Sequence, residues 1–361
     1  MRIGVPKETK NHEYRVGLTP AGVASLSKSG HEVWVERDAG TAIGFSDDQY
    51  QQAGASLVSS TTAFSADLVI KVKEPSLEEC DLFNPGQTLF TYLHLAAAQA
   101  QALALQRSGC TAIAYETVED SQGRLPLLQP MSQIAGRMSI QVGATALQRN
   151  HGGRGTLLGG VPGVAPGKVA ILGGGVAGTH AAQMAVGLQA DVTIIEKSPE
   201  RIAQLESEFA GRASVLMASE ENVAKTVRSA DLVVGSVLVP GAQAPKLVSR
   251  ELVQAMRKGS AMVDIAIDQG GCFETSRPTS HDDPMYIDEG VVHYCVTNMP
   301  GGVARTSTEA LCAVTLPYIE SLANQGVKPA LKQNPGLGKG VNVCAGQIVH
   351  PVVEEALSRA A

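Results

Sequence analysis

No run of Lys or Arg in this chain exceeds two residues, and its formal net charge is −6 with an isoelectric point near 5.8. A surface that binds a polyanion needs clustered positive charge, so nucleic acid is not an expected partner. Long apolar runs are also missing. No uninterrupted stretch approaches the ~18 residues that cross a bilayer, and the opening MRIGVPKETKNHEYR has no apolar core of the kind a secretory signal carries. These absences lead us to expect a cytoplasmic protein without membrane partners. Cysteine is sparse and scattered: Cys80, Cys110, Cys272, Cys295, Cys312 and Cys344 form no C-x-x-C pair and stand beside no histidine at metal-ligand spacing. Reduced, mostly buried thiols and no bound metal are the expectation. Short-period repeats and low-complexity tracts are absent as well.

What the chain does have is enough length, 361 residues, for two domains, with 44% apolar residues, 18% charged residues and 38 glycines. Short runs rich in Val and Ile recur at residues 2–5, 31–36, 67–72, 88–93 and 111–115, and helix-like stretches such as 19–29 and 96–108 lie between them. That alternation predicts β-α units around a mainly parallel sheet. A long amphipathic segment, residues 131–150, predicts one helix begun by Pro130 and capped by Ser132. HGGRGTLLGGVPGVAPG follows at 151–167, with seven glycines in seventeen residues, and reads as a border loop. From Lys168 the alternation restarts and provides six strand-like runs: KVAIL, DVTIIE, SVLM, DLVVGS, AMVDIA and HYCV. Six is the number expected of a doubly wound dinucleotide domain. Residues 304–325 read as a further long helix, and the tail, 346–361, as a last helix that rejoins the first domain.

The fold expected is therefore α/β: two doubly wound, Rossmann-like domains with mainly parallel sheets. Residues 1–129 and 305–361 would form one discontinuous domain, and residues 130–304 the other.

The strongest local motif is KVAILGGGVAGTHAA, where Gly173, Gly175 and Gly178 form G-x-G-x-x-G between an apolar run and a helix pattern. The first glycine permits a tight turn, the second a close approach of backbone to pyrophosphate, and the third close helix–strand packing. The helix N-terminus then faces the anion. Glu196 stands eighteen positions beyond Gly178, at the end of DVTIIE. A carboxylate there accepts hydrogen bonds from ribose hydroxyls and repels an extra phosphate, which favours NAD over NADP.

Several segments together resemble the alanine dehydrogenase family, which includes the NAD-binding domain of proton-translocating transhydrogenase. They are IGVPKETKNHEYRVGLTP at 3–20, VIKVKEP at 69–75, TYLHLAA at 91–97, PMSQIAGRMS at 130–139, LGGGVAG at 172–178, VLVPGAQAPKLV at 237–248, VDIAIDQGG at 263–271 and TNMPGGVARTST at 297–308. The resemblance spans nearly the whole chain. It implies that residues 1–129 and 305–361 form the substrate domain and residues 130–304 the NAD-binding domain, with an active-site cleft between them. It also implies NAD-dependent interconversion of L-alanine with pyruvate and ammonia, and a homohexamer, which composition and spacing do not reach.

Arg15 lies in a polar stretch after the first apolar run, and Lys73 just past another. A guanidinium fork or an ammonium suits a carboxylate, and the family pattern assigns both to the carboxylate of alanine or pyruvate. His94 follows TLFTYL and by resemblance serves the carbonyl oxygen as acid and base. Asp268, before a double glycine, would stabilise the cationic iminium; Asp264, four residues earlier, is its rival and reads as structural. By resemblance too, Ser132, Val176, Ala177, Ser236, Val237, Leu238, Ile265, Asn298 and Met299 complete the cofactor contacts, with Asn298 also bordering substrate. The other histidines read as structural or surface groups, with His12 near enough to Arg15 to be reconsidered. Two alternatives remain at this point: an NAD(H)-binding module like that of a transhydrogenase, and a related dehydrogenase acting on another amino acid.

Overall fold

The computed structural model describes residues 1–237 and 244–359, and the chain divides into two compact units, 1–131 with 303–361, and 132–302. In the first unit, β1 (Arg2–Val5), β2 (Glu32–Glu36), β3 (Ser56–Val58), β4 (Leu68–Ile70), β5 (Thr88–Thr91) and β6 (Thr111–Ala114) are all parallel and lie in the order β3-β2-β1-β4-β5-β6. The second unit repeats that order with β7 (Lys168–Leu172), β8 (Asp191–Glu196), β9 (Ser214–Met217), β10 (Leu232–Gly235) and β11 (Ala261–Asp264), arranged β9-β8-β7-β10-β11. Its edge adds β12 (Met285–Asp288), antiparallel to β13 (Val291–Tyr294), while β13 itself runs parallel beside β11. The chain then re-enters the first unit, where β14 (Val341–Cys344) pairs antiparallel with β6 and with β15 (Gln347–Ile348). Both sheets are thus doubly wound and mainly parallel, which is the α/β class the sequence predicts.

The physical cause is in the strand sequences. β4, β5, β10, β11 and β13 are buried along their whole length, as strands must be when helices cover both faces of a parallel sheet. Helix starts follow from local chemistry: Thr19 caps Pro20–Lys28 by accepting the Gly22 N–H, and Ser198 caps Pro199–Phe209 through the Arg201 N–H, each with proline in the first turn. In each sheet the order reverses beside the first strand, β1 or β7. Ligands of open α/β sheets bind at the carboxyl ends of strands there.

Some elements differ from expectation. The long helix spans Gln129–Ala146, so it starts before Pro130 and Ser132 lies inside it rather than capping it. Proline is tolerated there because the first turn of a helix needs no amide donor. The tail is not one helix: it opens with β15, and its helix begins at Pro351, running to Ser358. Four strands without sequence signal, β3, β12, β14 and β15, are two to four residues long, and all but β14 sit at sheet edges, where packing rather than periodicity decides. All six cysteines are unpaired, five of them buried and Cys344 half-buried. Among the described residues no helix is long and apolar enough to cross a membrane, and no cluster of three or more His, Cys, Asp or Glu could hold a metal.

Candidate active site

In the first unit the sequence-derived residues gather at the carboxyl edge of β1, β4 and β5. Arg15 is buried on the segment after β1, with Nε 2.6 Å and Nη2 2.5 Å from the two carboxylate oxygens of Glu13 and Nη1 3.2 Å from Sδ of Met131. Burial pulls the Arg15 guanidinium downward, but the Glu13 carboxylate outweighs it, so Arg15 stays charged. Glu13 thus occupies the Nε and Nη2 side of the fork, and Nη1 faces Met131. Lys73 stands three residues past β4. Its amide donates to Oε1 of Glu8 (3.3 Å) and its carbonyl accepts from Thr91 Oγ1 (3.0 Å), so its backbone is tied to the segment after β1 and to β5.

His94 stands three residues past β5 in a left-handed conformation, φ 50°, that histidine seldom adopts. Glu116, in the short helical turn after β6, explains it: its carboxylate accepts the amides of Leu93 (3.2 Å) and His94 (2.6 Å), and Oε1 lies 3.7 Å from His94 Nδ1. The imidazole also stacks on Tyr92, with ring planes 5° apart and centroids 5.9 Å apart, and Tyr92 OH donates to the Leu127 carbonyl. Half of the imidazole remains exposed. Backbone strain of this kind is held where surroundings over-determine it.

The second unit carries the glycine turn. Gly173 has φ 101°, its amide donates to Ile195 O (2.8 Å), and a Cβ on Gly178 would stand 1.9 Å from Gly173 O. Gly175 stands at the N-cap position of the helix Val176–Gly187 with no side chain to bond its first amides, and a Cβ there would meet nothing within 4 Å. The turn thus packs tightly at its first and third glycines and opens at the second, beside an uncapped helix N-terminus; Val176 is exposed and Ala177 half-buried. This is the cradle a pyrophosphate fits. Glu196, at the end of β8, accepts the amides of Gly174 (2.7 Å), Lys197 (2.8 Å) and Ser198 (3.0 Å). Ser236 is buried and donates to Gly173 O (2.9 Å), so it fastens the turn from β10; Val237 is half-buried beside Gly173.

Asp268 is exposed on the short helix Ile265–Gln269 that follows β11, with Ile265 half-buried at its start. Asp264 is fully buried and accepts from the amides of Ala266 (3.1 Å) and Cys272 (2.8 Å) and from Ser276 Oγ (2.5 Å). Burial pushes its carboxyl upward against those three donors. It is a scaffold for the 264–276 loop. Asn298 adopts φ 57° ahead of buried Met299, and its carbonyl accepts the Gly301 amide (2.8 Å); Ser132 is half-buried on the long helix. Leu238, also expected at the cofactor, lies outside the described residues.

Family comparison rests on both ends of this architecture. The alanine dehydrogenase/PNT N-terminal domain matches residues 4–135, and the alanine dehydrogenase/PNT C-terminal domain matches residues 139–351. The chain belongs to the alanine dehydrogenase/PNT family. Among its relatives, the alanine dehydrogenase of Geobacillus stearothermophilus is 54% identical over 99% of this chain and 96% of its own length, and that of Methanococcus maripaludis is 51% identical with the same coverage. A solved L-alanine dehydrogenase superposes with a TM-score of 0.97 at 55% identity, covering all of both chains. A transhydrogenase from Sinorhizobium meliloti, at 24% identity and a TM-score of 0.84 over 97% of this chain and 99% of its own, shares the fold.

Within this family member, sequence reading did not single out Glu13 or Glu116. Glu13 is two residues from Arg15, and Glu116 follows β6 as Lys73 and His94 follow their strands, so position at a strand end was the available signal. Nothing in their own spacing shows that they orient Arg15 and His94.

Proposed function

We propose that this chain catalyses NAD-dependent oxidative deamination of L-alanine to pyruvate and ammonia, and the reverse reductive amination. The observation that carries the reading is the first unit's strand edge, where two cations suited to a carboxylate, Arg15 and Lys73, share one sheet edge with a half-exposed imidazole, His94. Relatives named alanine dehydrogenase at 51–54% identity over 99% of the chain support the same substrate, and favour it over a transhydrogenase-like module or another amino acid.

In this reading, residues 1–129 and 305–361 hold the substrate and residues 130–304 hold NAD. NAD, when bound, supplies the acceptor for hydride from the alanine Cα. Its pyrophosphate would meet the amides at Gly175, Val176 and Ala177, with Gly173 and Gly178 shaping the turn, and its adenosine ribose would meet Glu196. Ser132, Ser236, Val237, Ile265, Asp268, Asn298 and Met299 would border the nicotinamide half. Arg15 and Lys73 bind the substrate carboxylate. His94 takes the proton from water attacking the iminium carbon and returns it to the departing hydroxyl in the reverse direction. Asp268 stabilises the iminium cation, and Asn298 orients the substrate. A homohexameric, cytoplasmic enzyme belongs to the same reading; light scattering measures the first.

The test is spectrophotometric. Purified protein should reduce NAD with L-alanine and oxidise NADH with pyruvate plus ammonium. No NADH formed with alanine, or greater turnover of a different amino acid, overturns the reading.

A further inference from the structure

Next to Lys73 the first unit buries a second lysine that the reaction does not use. Lys71, one residue past β4, is 1% exposed, and its Nζ lies 3.2 Å from Glu8 Oε2 and 3.3 Å from Glu79 Oε1. Glu8 is itself buried on the segment after β1, and its other oxygen accepts the amides of Val72 (2.6 Å) and Lys73 (3.3 Å). Glu79 accepts the Ser76 amide (2.9 Å) and receives Thr9 Oγ1 (3.4 Å), which ties residues 76–79 to the same post-β1 segment. Between those anchors, Glu74 pairs with Lys10. Residues 71–79 are thus clamped to residues 8–10 by one ammonium between two carboxylates, and the clamp's hydrogen bonds end on the amide of Lys73 itself.

Stability is a weak reason to keep such a cluster. Desolvating three charges is costly, and apolar replacements of buried ion clusters are often as stable or more so. A fixed geometry is a stronger one, because a carboxylate-binding ammonium on a four-carbon stem acts only where its backbone is placed. We propose that Lys71, held between Glu8 and Glu79, is a positioning residue that sets Lys73 for the substrate carboxylate. The inference rests on the assignment of Lys73 made above. Burial pulls the Lys71 ammonium downward, but the two carboxylates outweigh it, so Lys71 stays charged; burial also pushes the Glu8 carboxyl upward, against Lys71 and the Val72 and Lys73 amides.

The experiment compares wild type, Lys71→Met, Lys71→Arg, Glu79→Gln and Lys73→Ala in the full-length protein. Three quantities are read: the pyruvate KM against kcat, the Kd of oxamate as a non-reacting pyruvate mimic in the presence of NADH, and the Kd of NADH. Lys71→Met should raise the pyruvate KM and the oxamate Kd together by about tenfold or more, leaving kcat at saturating pyruvate within about threefold and NADH affinity unchanged. Lys71→Arg, which keeps the charge, should recover most of the loss. A folded Lys71→Met protein with wild-type pyruvate KM and oxamate Kd overturns the proposal, even if its Tm falls. Should Lys71→Met not fold, Glu79→Gln decides: a raised KM supports the clamp, and an unchanged KM overturns it. If Lys73→Ala itself binds oxamate normally, the assignment of Lys73 fails and the clamp's proposed role falls with it. Loss in Lys73→Ala with no loss in the Lys71 or Glu79 variants removes the clamp alone.

Discussion

One carboxylate oxygen of Glu116 holds the backbone of His94 and stands beside its ring: Oε1 accepts the His94 amide at 2.6 Å and lies 3.7 Å from Nδ1 of the same residue. A histidine in left-handed backbone is costly by itself, and the Leu93 and His94 amides that Glu116 accepts hold that conformation. His94→Ala is expected to lower kcat at least ~10²-fold with NADH affinity kept, and to erase one limb of the pH–rate profile. Glu116→Gln keeps an acceptor for the amides and loses the charge beside Nδ1, so a smaller fall in kcat is expected. Wild-type kcat with both limbs intact in His94→Ala would remove it from the reaction.

The two aspartates four residues apart should separate cleanly. Asp264→Ala strips the acceptor from two buried amides and a hydroxyl, so a loss of ~1–3 kcal/mol in stability is expected, read by chemical denaturation. Asp268→Ala, at an exposed position, should cost less stability than Asp264→Ala and at least ~10²-fold in kcat. Reversal of that pattern would reassign the role to Asp264.

Two glycines of one motif should also behave oppositely. Gly178→Ala puts a Cβ 1.9 Å from Gly173 O, where only backbone movement relieves it, so a loss of ~1–3 kcal/mol in stability and weakened NAD binding are expected. Gly175→Ala meets open space, so its Tm should stay near wild type while the NAD Kd rises. Normal NAD affinity in Gly175→Ala would show that the pyrophosphate does not approach there.

Glu196→Ala is expected to lower the NAD/NADP ratio of kcat/KM. Because Glu196 also accepts the Gly174 amide, its loss should weaken both cofactors somewhat, and only the ratio isolates the ribose contact. An unchanged ratio argues for a purely structural carboxylate.

Arg15 and Lys73 are distinguishable by their partners. Removing Arg15 leaves Glu13 buried without its cation, so Arg15→Ala should lose stability as well as raising the pyruvate KM, whereas Lys73→Ala should raise KM or abolish turnover with Tm largely kept. A normal pyruvate KM in Lys73→Ala excludes it from carboxylate binding.

Much of this was legible in the chain. Apolar runs of four to six residues separated by helix-length stretches determine a parallel α/β fold, because only strands covered on both faces read as continuous Val and Ile. The glycine spacing at 173, 175 and 178 determines a strand–turn–helix, since each glycine answers a local steric demand. Positions just past strands, such as Lys73 and His94, are predictable for the same reason. Local pattern does not carry contacts distant in sequence: that Glu116 orients His94 from 22 residues away, or that Glu8 holds the Lys73 amide from 65 residues away. Those contacts exist because sheet order brings β1, β4, β5 and β6 side by side, and side-chain geometry at their ends follows from that adjacency. Likewise only the tertiary structure separates Asp264 from Asp268 in burial, turning one carboxylate inward to three donors and leaving the other at the surface.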